Sequence, residues 1–334
     1  MQVCGRRRTV LFRVVAFLAG IAAVAQTTPV RSEGWPQRPV RIVVPFAAGG
    51  SSDVAARVIA QQLGNAFAQQ FVVENRAGAS GVVAAETVAR SPADGYTLLL
   101  ATSAQISIMP AVTRTPYDPV KDFAPVSVVG TSPFVLVVHP SVPAQTVAEF
   151  VDYVRTQPTH LGYASSGVGS TGHLAAELFF KRAGLTMTPV MYKGGAAQLN
   201  DVIAGHVKIT VLNLVAVLPF AASDALRPLA VTSEKRSTQI PNVPTFIETG
   251  YAGFKVSTLL GLMAPAGTPQ EIVDRIAAET TRAVKDPAVA KLLIGSGVDP
   301  IGSSPSEFAA MIAADIPLWA DAVKVAGAQE KHDK

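Results

Sequence analysis

Apolar residues along the chain fall into two alternating spacings. Arg41-Ile42-Val43-Val44-Pro45, Phe71-Val72-Val73, Leu98-Leu99-Leu100 and Phe134 to Val138 are short runs with the length and branched content of buried strands. Between them, Val54, Val58, Ile59 and Leu63 recur at helical spacing, as do Val147, Phe150, Val151 and Val154. This alternation predicts an α/β protein with mostly parallel sheets. Two helix starts are expected near the end of the chain. Thr268-Pro269-Gln270-Glu271 and Ser304-Pro305-Ser306-Glu307 each read as a capping box with proline at the first helical position.

Composition narrows the class. With 334 residues, 49% of them hydrophobic and 16% charged, the chain is too apolar for disorder and long enough for two domains. Residues 1–25 hold Arg6, Arg7, Arg8 and Arg13 with no acid, and Val14 to Ala25 is apolar. Ending in Ala23-Val24-Ala25, the segment reads as a secretory signal cleaved near Ala25, its apolar run being too short to span a bilayer. Arg7-Arg8 faintly resembles a twin-arginine signal, though paired arginines are common in ordinary n-regions. Removing those four from the 28 basic residues leaves 24 against 24 acidic. A neutral body argues against nucleic-acid binding. Cleavage removes Cys4, the only cysteine, and with it disulfides, thiolate metal sites and cysteine nucleophiles. Neither a cofactor nor a metal is expected, since none of the five histidines makes an H-E-x-x-H pair.

Candidate chemistry lies in two glycine-rich turns, each between a strand and a helix. The first is Pro45-Phe46-Ala47-Ala48-Gly49-Gly50-Ser51-Ser52-Asp53 and the second Ser165-Ser166-Gly167-Val168-Gly169-Ser170-Thr171-Gly172-His173. Free N–H groups at a helix start, aided by the dipole, make an anion site that needs no cation. A hydroxyl or Asp53 that merely caps the helix is the competing reading. Gly167, Gly169 and Gly172 formally match a dinucleotide fingerprint, but Tyr192-Lys193-Gly194 stands where its acidic partner belongs. Val168 similarly breaks the nucleophile elbow around Ser170. A structural hydrogen-bonding role competes with ligand contact at His173. A side chain at Gly50 or Gly169 is expected to block the backbone donors.

In order and spacing, the chain resembles the substrate-binding receptors of tripartite tricarboxylate transporters, the Bug family. The likeness rests on Trp35-Pro36, the first glycine turn, Glu74-Asn75-Arg76-Ala77-Gly78, Asp94-Gly95-Tyr96-Thr97-Leu98 and Tyr117 to Phe123. It continues through the second glycine turn, Tyr192-Lys193-Gly194, Ala230 to Ser233, Pro241 to Thr245 and Ala264 to Pro269. The resemblance implies an α/β, type II-like periplasmic binding protein, with two lobes of helix-flanked, mixed or mostly parallel sheet hinged around a central cleft. Lobe 1 would hold 35–127 plus 230–334 and lobe 2 128–229, with crossings near Val126–Thr131 and Leu226–Val231. It implies hinge closure on a small organic mono- or dicarboxylate, no catalysis, a monomer, and delivery to transporter membrane subunits in the periplasm.

The residues so assigned to the ligand are Phe46, Ala48, Gly49, Gly50, Ser51 and Asp53, then Thr102, Ser103 and Gln105. Ser166, Gly167, Gly169, Ser170, Thr171, His173 and Asn213 complete the set. Asp53 is assigned to ordering its turn, since like charges repel. The chain departs from the family in three places. Leu259 and Leu260 occupy a stretch that often holds a tryptophan, Lys208 stands where an acid is common, and Leu212 where an aspartate is frequent. An acid at 212 would neutralise an amino group, so leucine there argues for a carboxylate without an ammonium. Lys193 and Lys208 are each either a source of ligand-facing charge or solvated surface lysines. Two alternatives remain: a sensor serving a signalling partner in the same scaffold, and an exported serine hydrolase using Ser170 and His173.

Overall fold

The predicted runs join one curled, ten-stranded sheet in a computed structural model that describes residues 34–157, 161–192, 195–221 and 223–329. The expected signal segment 1–25 and Lys193 lie outside the described residues. The strands are β1 (Val40–Val44), β2 (Phe71–Asn75), β3 (Thr97–Thr102), β4 (Phe123–Val138) and β5 (Gly162–Ser165), followed by β6 (Thr188–Met191), β7 (Ile209–Asn213), β8 (Arg227–Val231), β9 (Ser257–Pro265) and β10 (Asp299–Pro300). The helices are α1 (Ser51–Phe67), α2 (Val82–Ala89), α3 (Met109–Val112), α4 (Val147–Thr156) and α5 (Thr171–Ala183), then α6 (Gly195–Ile203), α7 (Leu214–Ala221), α8 (Gln270–Lys285), α9 (Pro287–Gly295) and α10 (Pro305–Val325).

The strand order is β2-β1-β3-β9-β4-β7-β5-β6, with β8 and β10 also paired to β4. Parallel pairing at both ends (β2-β1-β3 and β7-β5-β6) follows from strand–helix–strand connections. In the middle, β9 and β4 run antiparallel, and the same long β4 serves two neighbourhoods. Its residues 123–133 pair with β9, whereas 134–138 pair with β7 and β8. The change of partner falls at Pro133/Phe134. On the return, β8 still pairs with the 134–138 end, and the chain rejoins the first set of strands only at Ser257. Phe246 and Phe254 bury against Phe179 of α5, at ring separations of 4.6 and 6.1 Å.

Periodicity located the buried faces well. Ile59 and Leu63 of α1, and Val147, Phe150, Val151 and Val154 of α4, are all buried. Helix α10 spans both neighbourhoods, since Phe308 and Ile312 pack with Leu99 and Met263 while Trp319, Ala322 and Val323 pack with Phe134 and Phe179. Of the two expected capping boxes one forms. The Ser304 hydroxyl accepts from the Glu307 N–H at 3.2 Å, and the Glu307 carboxylate accepts from the Ser304 N–H at 2.8 Å. Helix α8 instead begins one residue later than its pattern suggests, with Pro269 at the cap position. Thr268 is thereby too early to cap, and its buried hydroxyl donates to the Pro265 carbonyl at 2.8 Å.

Candidate functional site

Both glycine turns open onto one cavity of about 420 Å³. Its wall takes Phe46, Ser51 and Ser52 from the first turn and Ser166, Gly169, Ser170, Thr171 and Gly172 from the second. Ser80, Thr102, Ala104, Ile108 and Met109 contribute from one side, and Gly195, Val211, Leu212, Asn213 and Ala216 from the other. Ser132 and Phe134 of β4, with Thr258 and Leu260 of β9, close the base where the sheet changes partners. No Asp, Glu, Lys, Arg or His lies in this wall among the described residues.

With no cationic side chain in the wall, donors for an anion come from the backbone at the helix starts. In α1 the first helical bond runs from the Val54 N–H to the Gly50 carbonyl at 3.0 Å, and Gly50 makes no side-chain cap. The N–H groups of Ser51, Ser52 and Asp53 precede that bond and have no protein acceptor among the described residues. In α5 the Ser170 hydroxyl accepts from the His173 N–H at 3.3 Å, which leaves Thr171 and Gly172 with unclaimed N–H groups. Helices of 17 and 13 residues thus bring their positive ends to one space.

Buried Asp53 holds the first turn. Its carboxylate accepts from the Gly49 N–H at 2.9 Å, Arg57 Nε at 3.0 Å and Asn75 Nδ2 at 2.9 Å, and Asn75 also donates to the Phe46 carbonyl at 3.0 Å. Burial pushes its pKa up, but the bonds from Arg57, Gly49 and Asn75 outweigh it and bring it to about 2. With its oxygens so engaged it stays out of the cavity wall. Gln105 is similarly committed. Its Oε1 accepts from the Thr102 N–H at 2.9 Å and hydroxyl at 3.0 Å, while Nε2 donates to the Ser80 carbonyl at 2.7 Å. The buried Ser103 hydroxyl accepts from the Leu259 N–H at 2.9 Å, tying this turn to β9.

Seven of the sequence-assigned residues line the cavity together: Phe46, Ser51, Thr102, Ser166, Gly169, Ser170 and Thr171, with Asn213 as an eighth. Ala48, Gly49, Gly50 and Gly167 lie outside the wall, and Asp53, Ser103, Gln105 and His173 are buried behind it. A Cβ on Gly50 would meet only the Ala47 carbonyl at 4.0 Å, so the space around that position is open. Gly169 both lines the wall and holds φ +72°, where other residues are strained. His173 Nδ1 accepts from the Gly169 N–H at 3.3 Å and its ring stacks on Tyr163. Burial lowers its pKa, keeping it neutral. Ser170 and His173 are thus arranged as a helix cap and a turn support, not as nucleophile and base. Lys208 lies outside the wall. Missed residues such as Phe134, Val211 and Leu260 sit on strands whose apolar pattern is indistinguishable from core. Ser80 and Gly195 follow the 74–78 and 192–194 segments of the resemblance, but neither was assigned to the ligand.

Comparison with known proteins is consistent across the chain. The profile of the tripartite tricarboxylate transporter family receptor matches residues 55–327. Protein BugT of Bordetella pertussis is 37% identical over 97% of this chain and 99% of its own. The solved structure of Rhodopseudomonas palustris Rpa4515 with adipate has 40% identity and a TM-score of 0.76, covering 88% of this chain and 98% of that one. MatC from Rhodopseudomonas palustris with bound malate has 30% identity and a TM-score of 0.72, covering 86% and 100%.

Proposed function

The chain belongs to the tripartite tricarboxylate transporter receptor family, and from that premise we propose that its cavity captures a small organic carboxylate for presentation to transporter membrane subunits. It is a solute receptor and not an enzyme. The observation that carries the carboxylate reading is a cavity wall without a charged side chain, supplied with unclaimed N–H groups by two helix starts. Adipate and malate in the two related structures support the same ligand chemistry. The periplasm is the compartment of this family, and the N-terminal signal segment is cleaved near Ala25.

Two bodies move in this reading. One carries 34–131 with the strands and helices from 257 to the first half of α10, and the other carries 134–256 with the second half of α10 packed on it. The support is that β4 changes partners at Pro133/Phe134 and the chain returns at Ser257, both beside the cavity base. Closure there brings the starts of α1 and α5 together on one ligand and excludes solvent. The receptor acts as a monomer.

Isothermal titration of the purified mature protein against adipate, succinate and malate tests this. Saturation by at least one of them is expected, with binding lost in Gly169→Val. Heat signals absent for every acid, or a fully active Gly169→Val, refute it.

A further inference from the structure

We infer that Thr258 sets which acids the cavity prefers, by reading a neutral oxygen carried on the ligand's body; this rests on the carboxylate reading above. Strand alternation places the residue. Thr258 and Leu260 of β9 line the cavity, whereas Ser257 and Leu259 line a separate pocket of about 340 Å³ on the other face of the same strand. In register, Thr258 stands across from Ser132 of β4, and Phe134, two residues along, stands across from Asn213 of β7. Thr258, Ser132, Phe134 and Asn213 therefore share one face of the sheet at the cavity base.

Counting partners shows what this face still offers. The Ser132 hydroxyl donates to the Gly297 carbonyl at 2.7 Å and accepts from Asn213 Nδ2 at 2.6 Å. Asn213 Oδ1 accepts from the Val215 N–H at 3.3 Å, which leaves the amide one N–H to give. The Thr258 hydroxyl has no protein partner among the described residues, and a hydroxyl both donates and accepts. The anion end of the cavity adjoins these groups, since a Cβ on Gly172, in the first turn of α5, would lie 3.9 Å from the Phe134 ring. A hydroxyl or keto oxygen on the first or second carbon from the bound carboxylate is thereby carried to Thr258 and the Asn213 N–H. An acid without that oxygen strips water from both groups and returns nothing, whereas one that carries it replaces the lost hydrogen bonds. In the two-body reading Thr258 and Asn213 belong to opposite bodies, so an oxygen held by both also favours the closed form.

Titration calorimetry with glutarate, 2-hydroxyglutarate and 3-hydroxyglutarate tests this. At least one hydroxy acid is expected to bind about three- to tenfold more tightly than glutarate. That ratio is expected to fall towards one in Thr258→Val, which keeps the branched shape a strand favours, and to persist in Thr258→Ser. Hydroxy acids that bind no more tightly than glutarate overturn the inference while leaving the receptor a carboxylate binder. A ratio undiminished in Thr258→Val also overturns it, even where all three acids weaken together, because Thr258 then supports the wall without reading the ligand. Loss of the ratio in Thr258→Ser assigns the preference to the methyl group and overturns it as well. Silence from all three acids removes the carboxylate reading itself, and this inference with it.

Discussion

Replacing Asp53 by asparagine tests whether the first glycine turn is held by a buried charge. The carboxylate is 4% exposed and receives the Gly49 N–H, the Asn75 amide and the Arg57 guanidinium. Its pKa falls from 3.8 to about 2, and at 1.36 kcal/mol per unit that corresponds to about 2 kcal/mol of folded-state stabilisation. Arg57 is 53% exposed, so its part of this total is screened by solvent and salt. Because the folded pKa is depressed, the stabilisation is complete above 3.8 and disappears as the pH falls towards 2. Urea unfolding of both proteins between pH 7 and pH 2 reads it directly. The gap between wild type and Asp53→Asn is expected to shrink by about 2 kcal/mol over that range. Other acids titrate there too, but equally in both proteins, so they cancel from the difference. Parallel pH curves would refute the reasoning. So would Asp53→Asn binding carboxylate normally, because the amide turns a donor towards Asn75 and should release the turn that aims α1.

Two further perturbations probe the rest of the site. A Cβ at Gly172 would lie 2.8 Å from the Val211 carbonyl oxygen, so Gly172→Ala should push the start of α5 off β7. It is expected to lower stability by about 1–3 kcal/mol in urea unfolding and to weaken carboxylate binding. Asp315 accepts from the Ser107 hydroxyl at 2.6 Å and Trp319 Nε1 at 3.0 Å, yet burial outweighs these bonds and raises its pKa. Wild type should therefore lose stability as the pH rises from 3.8 through the raised value, and Asp315→Asn should lack that slope.

The strands, the helix faces and the two glycine turns were legible because each depends on neighbours in sequence. Strand β1 feeding α1 through Gly49 and Gly50 is a local event, as is Ser170 capping α5. The capping box at 304 was local too, but the one expected at 268 failed. The Pro265 carbonyl offered the Thr268 hydroxyl a better-placed acceptor, and sequence spacing does not reveal such competition. The cavity base escaped for a stronger reason. Phe134 of β4, Leu212 of β7 and Leu260 of β9 meet only after antiparallel pairing brings together segments far apart in the chain.

Asn213 shows the limit most clearly. The family resemblance assigned it to the ligand, and it does reach the wall, yet its amide donates to Ser132 and accepts from the Val215 N–H. A polar residue in a binding cavity advertises hydrogen bonding only when its partners are counted, and those partners are set by the fold. The reverse holds at Ser51 and Thr171, where small residues gain importance from the bare N–H groups of the helices they begin. What the cavity offers a ligand is thus decided less by which residues line it than by which of their atoms the fold has left unused.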